Sequence, residues 1–163
     1  MFMLEKNSKI REEIWDSVKG LSDEQLNKVV VEGQWSIAQV LEHLRLMEEN
    51  AVRGIREVLS KDEYNPTDPK PMHLIADRTI KRDAPDYLIP SNEFQTLEEL
   101  RAKLASSREA LENSIQGVSE EDLNNKSFPH RRFGLLSVTQ WISLLGFHEQ
   151  RHIGQIEEIK QSL

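Results

Sequence analysis

Apolar positions recur at helical spacing in four stretches of the chain. Ile10, Ile14, Trp15 and Val18 mark the first, from about Leu4 to Val18, with Gly20 as its stop. The second opens at Ser36, where Ile37, Val40, Leu41, Leu44 and Met47 begin a stripe that Val52, Ile55 and Leu59 continue. The third begins near Thr96, with Glu99 at capping-box spacing, and carries Leu97, Leu100, Leu104, Leu111 and Ile115 on its inner face. The fourth starts near Ser137 and runs through Ile142, Leu145, His148, His152, Ile156 and Ile159. A short helical turn is expected after Ser22, with Gln25 completing its cap. Strand signals are nearly absent: Val29, Val30 and Val31 form one short run that ends in Glu-Gly. Four long amphipathic helices without strands predict an all-α, four-helix bundle as a single domain over residues 1–163.

The segment from Ser60 to Gln95 holds five of the six prolines and is long for a connection in a compact domain. It reads as a flap at a functional site, as the carrier of a short helix near Ile75–Ile80, or as a crossover between parallel neighbouring helices. A weak internal repeat points the same way as the helix pattern. SDEQLNK at Ser22 resembles SEEDLNNK at Ser119, and each is followed by a similar helix start, WSIAQVLEHL at Trp35 and LSVTQWISLLGFH at Leu136. Aligning Ser36 with Ser137 sets His43 against Leu144, one turn before His148.

Composition narrows the classes of function. A net charge of -7 argues against a nucleic-acid groove or an anionic membrane surface as partner. The chain has no cysteine, which removes disulfides, a protein thiolate nucleophile and every cysteine-based metal site. The stretch from Glu5 onward is charged, so no signal core is evident, and no apolar run is long enough to span a bilayer. A cytoplasmic location is the expectation.

His148 and His152 are four residues apart and therefore share one helix face, on the stripe of Leu145, Ile156 and Ile159. His43 lies on the stripe of Val40, Leu44 and Met47. Buried imidazoles need partners for their ring nitrogens. Either neighbouring hydroxyls, carboxylates or water supply them, or the three converge on one divalent ion, with zinc, nickel or iron suited to such donors. The string HEQRH at His148 also fits the H-E-x-x-H pattern of zinc proteases, with Glu149 as base. The extended version needs glycine where Gln155 stands, only eleven residues follow His152, and no strand edge is evident to hold a peptide. Glu149 then reads as a surface residue of the fourth helix or a partner behind the ligands. Gln155, one turn beyond His152, is a candidate partner behind the ligands or a substrate contact. His73 and His130 fall in proline-bearing loops and are not assigned to the ion, although His130 could approach its mouth. Arg131, Arg132 and Arg151 read as solvated charge, with an anion site as the sharper alternative. Trp35 and Trp141 read as packing residues.

Taken together, WSIAQVLEHL at Trp35, FGLLSVTQWISLLGFHEQRHIGQIEEI at Phe133, the linking KRDAPDYLIPSNEF and the later Arg108 resemble the DinB-like, YfiT-like superfamily of metal proteins. The resemblance covers most of the chain in order. It implies a four-helix bundle with one histidine on the second helix and an H-x-x-x-H pair on the fourth, roles that fall on His43, His148 and His152. It also implies a divalent metal, zinc or nickel first, with iron or manganese as further options. Members of the family resemble thiol-dependent transferases or metal-dependent hydrolases. With no cysteine in the chain, any thiolate must come from a small molecule. The expected function is activation of a small thiol or of water, against the alternative of a non-catalytic, stress-related metal or small-ligand binder. The expected partners are a small-molecule substrate, a low-molecular-weight thiol among the candidates, and a second copy in a homodimer, with no nucleic acid and no membrane.

Overall fold

The computed structural model describes residues 2–163. Its helices are α1 (Phe2–Ser17), α2 (Asp23–Asn27), α3 (Ile37–Leu59), α4 (Leu97–Ile115), α5 (Glu120–Asn125) and α6 (Val138–Lys160). The four long ones are those the apolar stripes predict. Their starts are set by side chains: Ser36 with Gln39, Thr96 with Glu99 and Ser137 with Gln140 each form a reciprocal capping box, as Ser22 and Gln25 do on α2. In each box the hydroxyl accepts from the third backbone N–H, while the Gln or Glu side chain accepts from the cap's own N–H. The internal repeat is thus a repeated device, since α3 and α6 open with the same Ser–Gln pair in the same register.

Side-chain contacts fix the directions of the helices. Glu42 reaches Lys103 and Glu48 reaches Arg108, so α3 and α4 run parallel. Asn7 donates to the Ile142 carbonyl and Arg11 pairs with Glu149, so α1 and α6 run parallel as well. Leu41 and Leu44 cluster with Ile156 and Ile159, while Val52 and Ile55 cluster with Trp141 and Ile142, so α3 is antiparallel to α6. A bundle with parallel α3 and α4 requires a long return. Residues 60–96 provide it, and the crossover reading of that segment is the one the fold adopts. It carries two short 3-10 turns, Met72–Ala76 and Asp86–Leu88, against α6 and α3 respectively.

One expectation is corrected. The chain does contain strands: β1 (Ser127–His130) pairs antiparallel with β2 (Gly134–Ser137), Ser127 opposite Ser137 and His130 opposite Gly134. Each strand is only four residues long and β1 contains Pro129, so no alternating pattern could announce them. The hairpin is held by packing. Phe128 stacks on Trp141 with ring centroids 4.5 Å apart, and it lies so close to α3 at Gly54 that any Cβ there would collide with its ring. Among the described residues no helix is long and apolar enough to cross a membrane.

The apolar core falls into two clusters, with Leu44, Leu104 and Ile156 in one and Val52, Leu111 and Leu145 in the other. Between them lies a quartet of buried charges, one from each long helix. Arg11 of α1 binds Glu149 at 2.7 Å and Glu48 at 3.2 Å, and Arg108 of α4 binds Glu48 at 2.8 Å and Glu149 at 2.9 Å. Ser107 donates to Glu48 at 2.6 Å, and Arg11 also donates to the Leu104 carbonyl at 3.0 Å. Two positive and two negative charges cancel, and both carboxylates are fully engaged. Desolvating four charges offsets much of their attraction, so such a cluster contributes more to helix register than to net stability.

Candidate metal centre

His43 lies on α3, and His148 and His152 lie one turn apart on α6, on the faces that these antiparallel helices turn to each other. The three side chains meet. His43 Nε2 is 3.1 Å from His148 Nε2, and His152 Nε2 is 3.2 Å from the same atom. One ring nitrogen from each residue lies within 4.8 Å of the other two. Among the described residues these histidines form the only group of three or more His, Asp and Glu side chains with that convergence.

The outer nitrogens decide which atoms face inward. His43 Nδ1 lies 2.7 Å from the Leu88 carbonyl, an acceptor with no proton to give, so Nδ1 carries the hydrogen and Nε2 bears a lone pair. His152 Nδ1 lies 2.7 Å from Gln155 Oε1, with the same consequence. Lone pairs therefore converge on His148 Nε2, where a single proton could satisfy no more than one of the two contacts. Protonating the rings does not relieve the crowding, because the charged forms are disfavoured. Burial lowers the pKa of all three, to about 3 for His152 and well below the usual range for His148, whose neighbours His152 and His43 depress it further. Three neutral imidazoles held by outer hydrogen bonds form a donor set that suits a divalent ion.

The surroundings close over the cluster from the crossover side. Leu88, whose carbonyl positions His43, belongs to the second 3-10 turn. Arg151, between the two α6 histidines in sequence, donates to the carbonyls of Ile75, Asp77 and Ile80 at 3.2, 2.6 and 2.8 Å. The Trp35 ring sits 4.9 Å from that of His43. These contacts make residues 75–88 a strap across the α3–α6 seam.

Several residues stand elsewhere than expected. Glu149 is not a surface residue. It is 3% exposed, and both its oxygens are taken by Arg11 and Arg108, so it is neither a free base nor a partner hydrogen-bonded to a histidine. Arg151 is likewise not solvated charge but a buried clamp on the strap. Gln155 does stand directly behind His152. His73 is exposed on the first 3-10 turn. His130, at the hairpin tip, packs its ring 5.2 Å from Trp141, and its Nδ1 accepts the backbone N–H of Arg132 at 3.0 Å. The sequence reading missed the Leu88 carbonyl, which no side-chain pattern signals. It also missed the charge quartet, which a charged residue on each apolar stripe does signal.

A parallel-paired bundle with one histidine on its second long helix and an H-x-x-x-H pair on its fourth defines a class of three-histidine helical-bundle proteins. The chain belongs to the DinB superfamily, whose signature it matches over residues 7–156. It is similar to the Bacillus subtilis protein named "Uncharacterized protein YuaE", with 37% identity over 94% of both chains. It is also similar to the "Putative metal-dependent hydrolase OB0413" of Oceanobacillus iheyensis, with 27% identity over 87% of this chain and 74% of that one. The solved structure of TT2238, described as a four-helix bundle protein, superposes with a TM-score of 0.65 at 20% identity and 96% coverage of both chains, a likeness of fold.

Proposed function

We propose that the chain is a divalent-metal enzyme in which His43, His148 and His152 hold the ion, with Gln155 and the Leu88 carbonyl orienting two of the ligands. The observation that carries this reading is the meeting of three Nε2 atoms at 3.1 and 3.2 Å while two of the opposite nitrogens are bound to acceptors. Among the described residues no carboxylate joins the cluster as a fourth ligand. Three protein donors are the hallmark of catalytic rather than structural zinc sites, which argues against a purely structural ion. When bound, the ion supplies Lewis-acid chemistry, lowering the pKa of a thiol or a water molecule presented to it.

Between thiol and water the arrangement favours the thiol. Hydrolysis calls for a base near the ion, and the buried carboxylates nearest the histidines in sequence, Glu42, Glu48 and Glu149, are each engaged in ion pairs, Glu42 with Arg45 and the other two with Arg11 and Arg108. Thiol activation needs no such base, and the chain, lacking cysteine, must take its thiol from solution. The names of the metal-dependent hydrolase relatives favour the second reading, hydrolysis. Rates with a low-molecular-weight thiol and a chloro-aromatic or epoxide acceptor, with and without chelator, separate the two. The thiol reading expects a chelator-sensitive rate that His43→Ala abolishes. Ester or amide cleavage with no thiol-dependent rate would establish the hydrolase instead.

A further inference from the structure

The chain has three tryptophans, and the fold engages two of them fully. Trp141 is buried, stacks on Phe128 at 4.5 Å and donates its Nε1 hydrogen to the Phe128 carbonyl at 3.2 Å. Trp15 is covered by the Arg101 guanidinium, 4.8 Å from its ring. Trp35 stands apart. It precedes the Ser36 cap of α3, packs against the cluster that holds Leu41 and Ile156, and remains half-buried. Its ring lies 4.9 Å from that of His43, tilted by 48°. Among the described residues it is the one tryptophan in contact with the histidine trio.

Exposed apolar side chains continue from Trp35 on two segments. Leu88, whose carbonyl holds the His43 ring at 2.7 Å, turns its own side chain inward, while its neighbours Tyr87 and Ile89 face solvent. Further along, Gln39 donates to the Ser91 carbonyl at 3.4 Å. Asn27 donates to the Gln95 carbonyl at 2.8 Å and accepts the Gln95 N–H at 3.0 Å. These bonds lay residues 87–95 along the start of α3 and along the loop that leads to Trp35. That loop carries the valine run, with Val29 and Val31 exposed, and Phe94 is exposed next to the Asn27–Gln95 pair. Five of the nine large apolar side chains exposed among the described residues therefore fall on the two segments that adjoin His43. Exposed apolar surface gathered in one place marks a binding surface. Ligand sites commonly hold the reacting group with a few polar donors and the rest of the molecule on apolar walls.

We propose that Trp35 and Tyr87 form an apolar shelf beside the ion, so that the molecule acted on carries a flat apolar group, an aromatic ring or a conjugated chain, next to its reacting atom. This rests on the reading of the histidines as the metal site. Trp35 is joined to His43 by the ring contact, and Tyr87 by its neighbour's carbonyl, so the segments that orient this ligand of the ion also carry the shelf. The occupant is a small molecule rather than a second copy of the chain, because the shelf is continuous with a histidine of the site. Aromatic rings pack at centroid separations of about 4.5–7 Å, so a ring laid on Trp35 brings its substituents toward the ion held by His43.

Calorimetric titration of zinc-loaded protein with benzohydroxamate, and separately with acetohydroxamate, tests the shelf. Both probes chelate the ion through the same two oxygens, whether the enzyme activates a thiol or water, and only the first carries a ring. The readout is the ratio of their affinities, in which the shared chelating group cancels. The account expects this ratio to fall by about threefold or more in Trp35→Ala, the scale of one aromatic pair, and by about twofold in Tyr87→Ser. Tyr64→Ser, at an exposed aromatic bonded to Asp122 beyond the far end of α3, should leave it unchanged. A ratio unmoved by Trp35→Ala and Tyr87→Ser, or lowered equally by Tyr64→Ser, would overturn the proposal. So would sedimentation in which Tyr87→Ser dissociates a dimer while the ratio stays at the wild-type value, since the patch would then belong to a second copy. Tyr87 is 55% exposed, so its variant carries the test if Trp35→Ala disturbs the bundle. A parallel zinc titration keeps the two ideas apart. Zinc bound with an unmoved ratio defeats the shelf alone, whereas failure of the wild-type protein to bind zinc defeats the metal reading and the shelf with it.

Discussion

Two polar clusters lie side by side in this bundle, entered through consecutive residues of α6, and they are built on opposite principles. Glu149 joins a quartet in which charges cancel and both carboxylates are matched by guanidinium donors. His148 joins a trio in which the lone pairs of two inward nitrogens meet on a third, crowded to 3.1 and 3.2 Å. The first cluster is complete and closed, while the second is complete only with a cation. The difference shows why burial of polar groups alone does not mark a functional site. What marks it is burial combined with an unmet demand.

The comparison breaks most sharply in the quartet. Glu149→Ala leaves two buried arginines short of an acceptor, and the expected loss of stability is about 3–5 kcal/mol, read from denaturant unfolding. A loss below about 1 kcal/mol would mean the quartet is wet and dispensable. In the trio the sign reverses. His148→Ala removes the most crowded nitrogen, so the metal-free protein should be no less stable than wild type, while affinity for a divalent ion falls by more than about 100-fold, beyond the loss of an outer partner. Gln155→Leu, which removes only the acceptor behind His152, should weaken the ion by about 10-fold.

These variants also show what the sequence discloses. The four long helices and their starts are legible because capping boxes and apolar stripes are local signals, and Ser36, Thr96 and Ser137 open helices where the pattern puts them. The convergence of His43 with His148 and His152 is legible in outline, because helical spacing puts each on an inner face. Glu149 reads as a surface residue because it is charged, whereas its place on the stripe between Leu145 and Ile156 goes with its burial. The hairpin, the clamp made by Arg151 and the Leu88 carbonyl depend on where the crossover lands. No spacing within residues 60–96 encodes that, since these anchors lie far off in the chain, 45 residues for Leu88 with His43, 62 for Asn65 with Ser127 and 73 for Thr67 with Gln140.

A pH dependence of the metal-free protein is expected as well. The folded chain holds His148 and His152 neutral below the pH at which an unfolded chain takes up protons, about 6.5. Folded pKa values lie below unfolded ones, so the unfolded state binds more protons and stability rises with pH through this window. Stability should therefore be full above about pH 6.5 and decline as pH falls toward 3, where folded His152 itself titrates, by roughly 1.4 kcal/mol per pH unit for each such histidine. The His148→Ala variant should show a shallower decline over pH 4–6 in chemical denaturation, and an unchanged slope would place the proton linkage elsewhere.

The central claim is that the three histidines hold one ion. X-ray absorption on protein loaded with a single equivalent of zinc or nickel tests it directly. The account predicts one tightly held ion per chain with three imidazole nitrogens at about 2.0–2.1 Å for zinc, and a nitrogen count that drops in His43→Ala. An ion bound through carboxylate oxygens alone, or no retained ion at all, would contradict it.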